Sequence, residues 1–201
     1  MKSLEEYLVL AARNHGHLCP GQVLGVRMAL LGMRELGVDD PVKFRKRLCT
    51  YVEIDRCATD AVSLVTGCRL GARTLKFLDY GKVAATFVDV ATGGAVRVAA
   101  RDDSRLRAKQ VAPELGDPYR QQREAYKVMD DAELFTLQRV RVKVPDQDLP
   151  GAPRSRVPCE ECGEGVNDGR ELRAHGRVLC RNCAGESYYE AVTSDPPRRD
   201  K

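Results

Sequence analysis

An α+β fold, a mixed helix and antiparallel-sheet core followed by a small C-terminal zinc-finger domain, is predicted by three features of the sequence. Helical and strand-like periodicities alternate without a regular βαβ repeat; Thr92-Gly93-Gly94 separates two β-rich runs; and paired cysteines follow a proline-rich break. The chain has 201 residues, 43% hydrophobic and 31% charged, enough for one substantial core plus a module on a prior of about 150 residues per domain.

The elements follow in order. Ser3 with Glu6 is a capping-box pattern, and Leu4, Leu8, Ala11 and Ala12 recur at helical spacing, which predicts a first helix from Leu4 to Asn14. Cys19 then stands at the N-cap of a second helix, with Pro20 in the first turn, Val23, Leu24, Met28, Leu31 and Leu36 on its apolar face, and Gly37 as its stop. From Leu48 to Asp55 the sequence alternates, placing Leu48, Thr50, Val52 and Ile54 on one face of a half-buried strand and Cys49, Tyr51, Glu53 and Asp55 on the other. Cys57 to Thr66 reads as a short helix closed by Gly67. Lys82 to Val90 and Ala95 to Ala100 form the arms of a hairpin, Tyr119 to Asp130 a further helix, and Phe135 to Val144 a last core strand.

These elements give a core domain over residues 1–144 and a proline-rich linker over 145–156, where Pro145, Pro150, Pro153 and Gly151 resist helix and ladder alike. A treble-clef or ribbon finger then occupies 157–190 and a polar tail 191–201. Glu5 and Glu6 stand where a secretory signal would be basic, and no run approaches the roughly 18 apolar residues of a membrane span. A cytoplasmic location with no membrane partner is expected, and there cysteines are reduced, metal-bound or reactive more often than paired.

Cys159-Glu-Glu-Cys162 and Cys180-Arg-Asn-Cys183 have the spacing of a two-knuckle structural zinc site, in which four thiolates complete a tetrahedral shell and leave no open catalytic position. Gly163 and Gly185 suit the tight backbone after each knuckle, and the segment after Cys180 is expected to supply a helix. The competing reading is a redox motif or a disulfide pair. From Gly151 onward nine Lys and Arg balance nine Asp and Glu. A phosphate-tracking surface needs a basic excess, so nucleic acid is not an expected partner. His175 is read as a surface residue.

A second constellation is His15-Gly16-His17-Leu18-Cys19-Pro20-Gly21. A thiol at a helix start is favoured as thiolate by unsatisfied N–H groups, which makes Cys19 a candidate for a lowered pKa. Cys57 opens the next helix with Asp60 on the same face. His17, Cys19 and Cys57 would make a three-ligand site with an open position for a second transition metal. Asp60, Glu53 and His15 are the general acids or bases within reach of it. Against this, Asp60 could simply favour a helix N-terminus, Cys49 reads as a small core hydrophobe, and Cys68 suits packing and ligation equally.

With Glu53-Ile-Asp-Arg-Cys57-Ala-Thr-Asp60-Ala61, Thr66-Gly67-Cys68 and Asp79-Tyr80-Gly81-Lys82 following in order, the sequence resembles the FmdE family, named for the E-subunit of formylmethanofuran dehydrogenase, from about Leu4 to Val144, and the cysteine module resembles the finger that many members append. The resemblance implies an α+β core, homodimers, and a metal-capable cluster at His17, Cys19 and Cys57, with Cys68 as an additional candidate. It also implies association with molybdenum or tungsten enzymes of one-carbon metabolism, and so a dehydrogenase or cofactor-handling partner. The expected function is a metal-binding subunit or accessory factor of such a formylmethanofuran- or formate-type system. The alternatives are a zinc-finger adaptor or regulator, and a small self-contained enzyme acting through an open metal or the Cys19 thiolate, with His17, Cys19, Cys57 and Asp60 as its catalytic set.

Overall fold

The computed structural model describes residues 1–174 and 176–192, so His175 and residues 193–201 of the tail lie outside the described residues. The chain divides into two compact units, Met1–Gly151 and Ala152–Lys201.

In the first unit a five-stranded sheet has the order β2-β1-β3-β4-β5, where β1 is Leu48–Val52, β2 Leu75–Phe77, β3 Ala84–Asp89, β4 Ala95–Ala100 and β5 Phe135–Arg139. Only β1 and β2 run parallel; the other pairs are antiparallel. The helices are α1 (Leu4–His15), α2 (Pro20–Glu35), α3 (Cys57–Thr66), α4 (Ser104–Val111), α5 (Pro118–Val128) and the single turn α6 (Asp131–Leu134). Helix α1 begins with the expected capping box: the Glu6 amide donates to Ser3 Oγ at 3.2 Å and the Ser3 amide donates to Glu6 at 2.7 Å.

Helix α2 is the centre of the core. Eleven of its sixteen residues are buried, and it packs on α1, α3, α5 and one face of the sheet. Glycines make the approach close. A Cβ on Gly25 would stand 2.4 Å from the Ala58 carbonyl oxygen, and one on Gly32 would stand 2.2 Å from the Phe87 ring, both far inside van der Waals contact. Leu48, Val52, Ala85 and Phe87 face this core, while Cys49 and Val88 face the other side of the sheet, where Tyr51, Val140, Val142 and Val144 cover them. The alternation read in β1 is therefore real.

Four expectations change. The first strand stops at Val52, because β3 begins at Ala84, whose carbonyl already accepts the Glu53 amide and ends the ladder. The last strand stops at Arg139: Val140 N–H reaches Ala95, the first residue of β4, where the ladder runs out. The alternating valines continue past that point as packing on the sheet. The start of the proline-rich stretch is bound to the first unit, since Asp146–Asp148 forms a 3-10 turn, the Gln147 carbonyl accepts a bond from Arg73, and Lys76 approaches Asp148 at 3.8 Å. Finally, residues 181–185 of the finger form turns, with no helix after Cys180 among the described residues. Its strands are two hairpins, β6 (Arg156–Pro158) with β7 (Gly165–Asn167) and β8 (Leu172–Ala174) with β9 (Arg177–Leu179), an arrangement nearer the ribbon form of finger. Among the described residues no helix is long and apolar enough to cross a membrane.

Candidate metal centres

The ends of three helices meet at the first centre. Gly16 caps α1 in the left-handed conformation, at φ +89°, and this reversal returns His17 beside His15, with ring centroids 5.1 Å apart. Cys19 is the N-cap of α2, where its Sγ accepts the Gln22 amide at 3.3 Å. One ligand atom each from His15, His17 and Cys19 lies within 4.8 Å of the others, with Cys19 buried, His15 half-buried and His17 exposed. Asp60 Oδ2 stands 3.1 Å from His15 Nδ1.

Cys57, the first residue of α3, adjoins this group. A Cβ on Gly21 would lie 3.2 Å from Cys57 Cβ and 3.7 Å from Cys19 Sγ, so the missing side chain at Gly21 lets the two helix starts come together. Gln22 joins them. It is 1% exposed, its amide serves Cys19, and its Nε2 donates to the Cys57 carbonyl at 2.6 Å. The sequence held a signal for it, an N-cap side chain followed three residues later by Gln, which is the capping-box pattern with a thiol in place of the hydroxyl. Tyr119 in the first turn of α5 is a further neighbour missed in the sequence; desolvation, and then the charge of Cys19, raise its hydroxyl pKa.

Several expected roles shift. Burial, with the adjoining Cys57, raises the Cys19 pKa against the opposing Gln22 hydrogen bond, so the unliganded thiol is not the lowered one that its helix-start position suggested. Glu53 is 5% exposed and clamped by Arg97 across β3, with Nε at 2.6 Å and Nη2 at 2.7 Å from its two oxygens, which removes it from the acid–base candidates. Asp60 meets His15 rather than the thiols. Cys68 stands apart from the cluster: its thiol accepts Thr50 Oγ1 at 3.4 Å and its surroundings are those of a buried core residue. Cys49 is fully buried and its thiol is pushed up to about 11 by desolvation.

In the second unit Cys159, Cys162, Cys180 and Cys183 place their sulfurs within 4.8 Å of one another. The amides of Cys162 and Cys180 point at Cys159 and bring its pKa down to about 6, which favours the thiolate that a metal requires. Gly163 and Gly185 take φ of +78° and +94° after their knuckles, as the sequence indicated.

A family model described as "FmdE, Molybdenum formylmethanofuran dehydrogenase operon" matches residues 14–143. The chain belongs to the FmdE family. Residues 153–189 match the prokaryotic dksA/traR C4-type zinc finger, which agrees with the four converging sulfurs. The FmdE-family chain also resembles the crystal structure of an FmdE-like protein, of the tungsten formylmethanofuran dehydrogenase type, from Syntrophus aciditrophicus, with a TM-score of 0.63 and 25% identity over 94% of this chain and 96% of that one. It is 33% identical to a probable S-adenosyl-L-methionine-binding protein of Archaeoglobus fulgidus over 94% of its own length, and spans 55% of that longer relative.

Proposed function

We propose that this FmdE-family protein holds a transition metal in its core as well as zinc in its finger, and that it acts as a metal-binding subunit or accessory factor of a molybdenum- or tungsten-dependent one-carbon dehydrogenase system. The observation that carries the metal reading is the convergence of His15, His17 and Cys19 at the start of α2. Two imidazoles and a thiol form a borderline-soft donor set that fits zinc, iron, nickel or copper and is unsuited to magnesium or calcium. His17 and Cys19 are the proposed ligands common to any arrangement, and His15 or Cys57 completes the set. The contact between Asp60 and His15 Nδ1 reserves Nε2 for the metal, the arrangement by which carboxylates orient ligating histidines. A metal held there would supply Lewis acidity, and where Cys57 rather than His15 completes the set, His15 and Asp60 would be placed to hold or pass a proton.

The dehydrogenase association rests on the family description and on the kinship with the Syntrophus protein. Homodimer formation belongs to the same reading. Metal analysis of protein purified without chelator is the test: wild type carries zinc plus a second metal, Cys19→Ala keeps only the finger zinc, and a pull-down from native extract recovers a dehydrogenase or a cofactor-handling protein. A wild-type chain with finger zinc alone refutes the core site.

A second reading, binding of S-adenosyl-L-methionine, is favoured by the similarity to the Archaeoglobus protein. Equilibrium dialysis with the labelled compound separates the two, since the first reading expects no retention in metal-free protein.

A further inference from the structure

A separate cavity of about 340 Å³ lies at the C-terminal end of α3, the opposite end of that helix from Cys57. Its interior is apolar, built by Tyr7 and Leu10 of α1, Leu48 of β1, and Leu64 and Val65 of α3. Its volume is within the range of small-molecule sites, and about twice the ~150 Å³ that suffices to admit benzene. Lys2, Arg45 and Arg69 stand at its edge, and no Asp or Glu lines it. The two acids that influence Tyr7, Asp40 and Glu6, are outside the lining; Asp40 accepts the Val42 amide at 2.9 Å and Glu6 accepts the Ser3 amide at 2.7 Å. Arg45 and Arg69 also line an adjoining depression with Gly67, Gly71 and Thr74, so the two guanidinium groups stand between two neighbouring hollows. None of the three cations pairs with a carboxylate among the described residues, although the chain's other arginines frequently do, as Arg27, Arg47, Arg97 and Arg101 show.

We infer that this cavity binds a small organic anion: a compact apolar body seated among the α1, β1 and α3 side chains, with a terminal carboxylate or phosphate held by Arg45 and Arg69. Guanidinium groups at the mouth of an apolar hollow suit that class, since they bind planar oxyanions bidentately while the body displaces water from carbon surface. The same surroundings disfavour a cationic ligand such as a sulfonium, which would meet three positive charges and no carboxylate in the lining. The site is distinct from the His and Cys centre and does not depend on its occupancy.

The test uses the full chain, followed by two-dimensional NMR and titration calorimetry with octanoate, octyl phosphate, 1-octanol, inorganic phosphate and S-adenosyl-L-methionine. The expected result is saturable binding of octanoate or octyl phosphate at one per chain, with shifted amides at Thr66–Arg69. Whichever of the two binds more tightly identifies the head group. Octanol and inorganic phosphate should each bind at least about tenfold more weakly, and Arg45→Gln with Arg69→Gln should weaken the anions about tenfold while leaving octanol unchanged. Both side chains are exposed, so the variant keeps its folding contacts; should it nevertheless fail to fold, the wild-type contrast between octanoate and octanol decides. Equal binding of octanol, equal binding of inorganic phosphate, stronger binding of S-adenosyl-L-methionine, shifts confined to another face, an unaffected folded variant, or no binding would each overturn the assignment.

Discussion

At the residue scale the core site depends on small features that bring polar groups together. Gly16 reverses the chain so that His15 and His17 face one another, Gly21 lets Cys57 approach Cys19, and Gln22 ties the two helix starts. Asp60 acts through His15. Asp60→Asn weakens the contact to Nδ1 and is expected to lower core-metal affinity by about tenfold, the lower end of what such outer carboxylates contribute; a competition titration against a chromogenic chelator measures it, and an unchanged constant excludes the orienting role. The sequence made His17, Cys19, Cys57 and Asp60 visible because ligating residue types cluster at helix starts. It could not reveal that Glu53 belongs to Arg97, because that pairing is set by strand register: Glu53 lies just past β1, and Arg97 stands on β4 with β3 between them. Nor could it rank burial against the helix terminus for Cys19, since the helix start is local while the desolvation comes from distant elements.

At the scale of elements the contact between α2 and α3 sets the position of Cys57. Gly25→Ala places a methyl group 2.4 Å from the Ala58 carbonyl, a backbone atom that cannot turn aside. A loss of about 1–3 kcal/mol in urea unfolding is expected, as overpacking commonly costs, together with weaker core-metal binding because α3 must move. The Arg47–Asp89 pair joins the segment before β1 to the end of β3, with Nε at 3.1 Å and Nη2 at 2.5 Å; the Ala91 amide and Thr92 hydroxyl also donate to Asp89. The Arg47 hydrogen bond leads in holding the Asp89 carboxyl below its usual range. A depressed folded-state pKa means that this stabilisation is present above the unfolded value, near pH 4, and is lost as pH falls through the folded one. The melting temperature should therefore drop on acidification below about pH 4, and Asp89→Asn should flatten that part of the profile; a parallel profile would contradict the assignment. The helices and strands with strong apolar periodicity were legible. Helix α4 was not, because three of its eight residues are charged and it buries only Ser104 and Ala108, and β2 was not, because it has three residues and leans on β1 for its pairing.

At the scale of the molecule the cysteine spacing separates the closed four-thiol shell of the finger from the proposed core site, whose donor set leaves an open position. The four-thiol finger lies wholly within its own unit, residues Ala152–Lys201, and structural zinc sites in isolated finger peptides contribute on the order of 10 kcal/mol of apparent folding free energy. Cys162→Ser should thus unfold the finger, remove one zinc per chain, and leave the melting transition of the first unit in place, as differential scanning calorimetry would show. The two-part organisation was legible because the doublet spacing and the proline-rich break are sequence features. That the start of the linker is held to the first unit, Gln147 by Arg73 and Asp148 by Lys76, was not legible, because composition does not encode such contacts. The central claim is that the core holds a metal of its own. X-ray absorption at the edge of the metal carried by a chain in which all four finger cysteines are serine tests it most directly. The expected result is one metal with a mixed shell, nitrogen at about 2.0–2.1 Å and sulfur near 2.3 Å, that disappears on Cys19→Ala; a chain that carries no metal once the finger ligands are removed would contradict it.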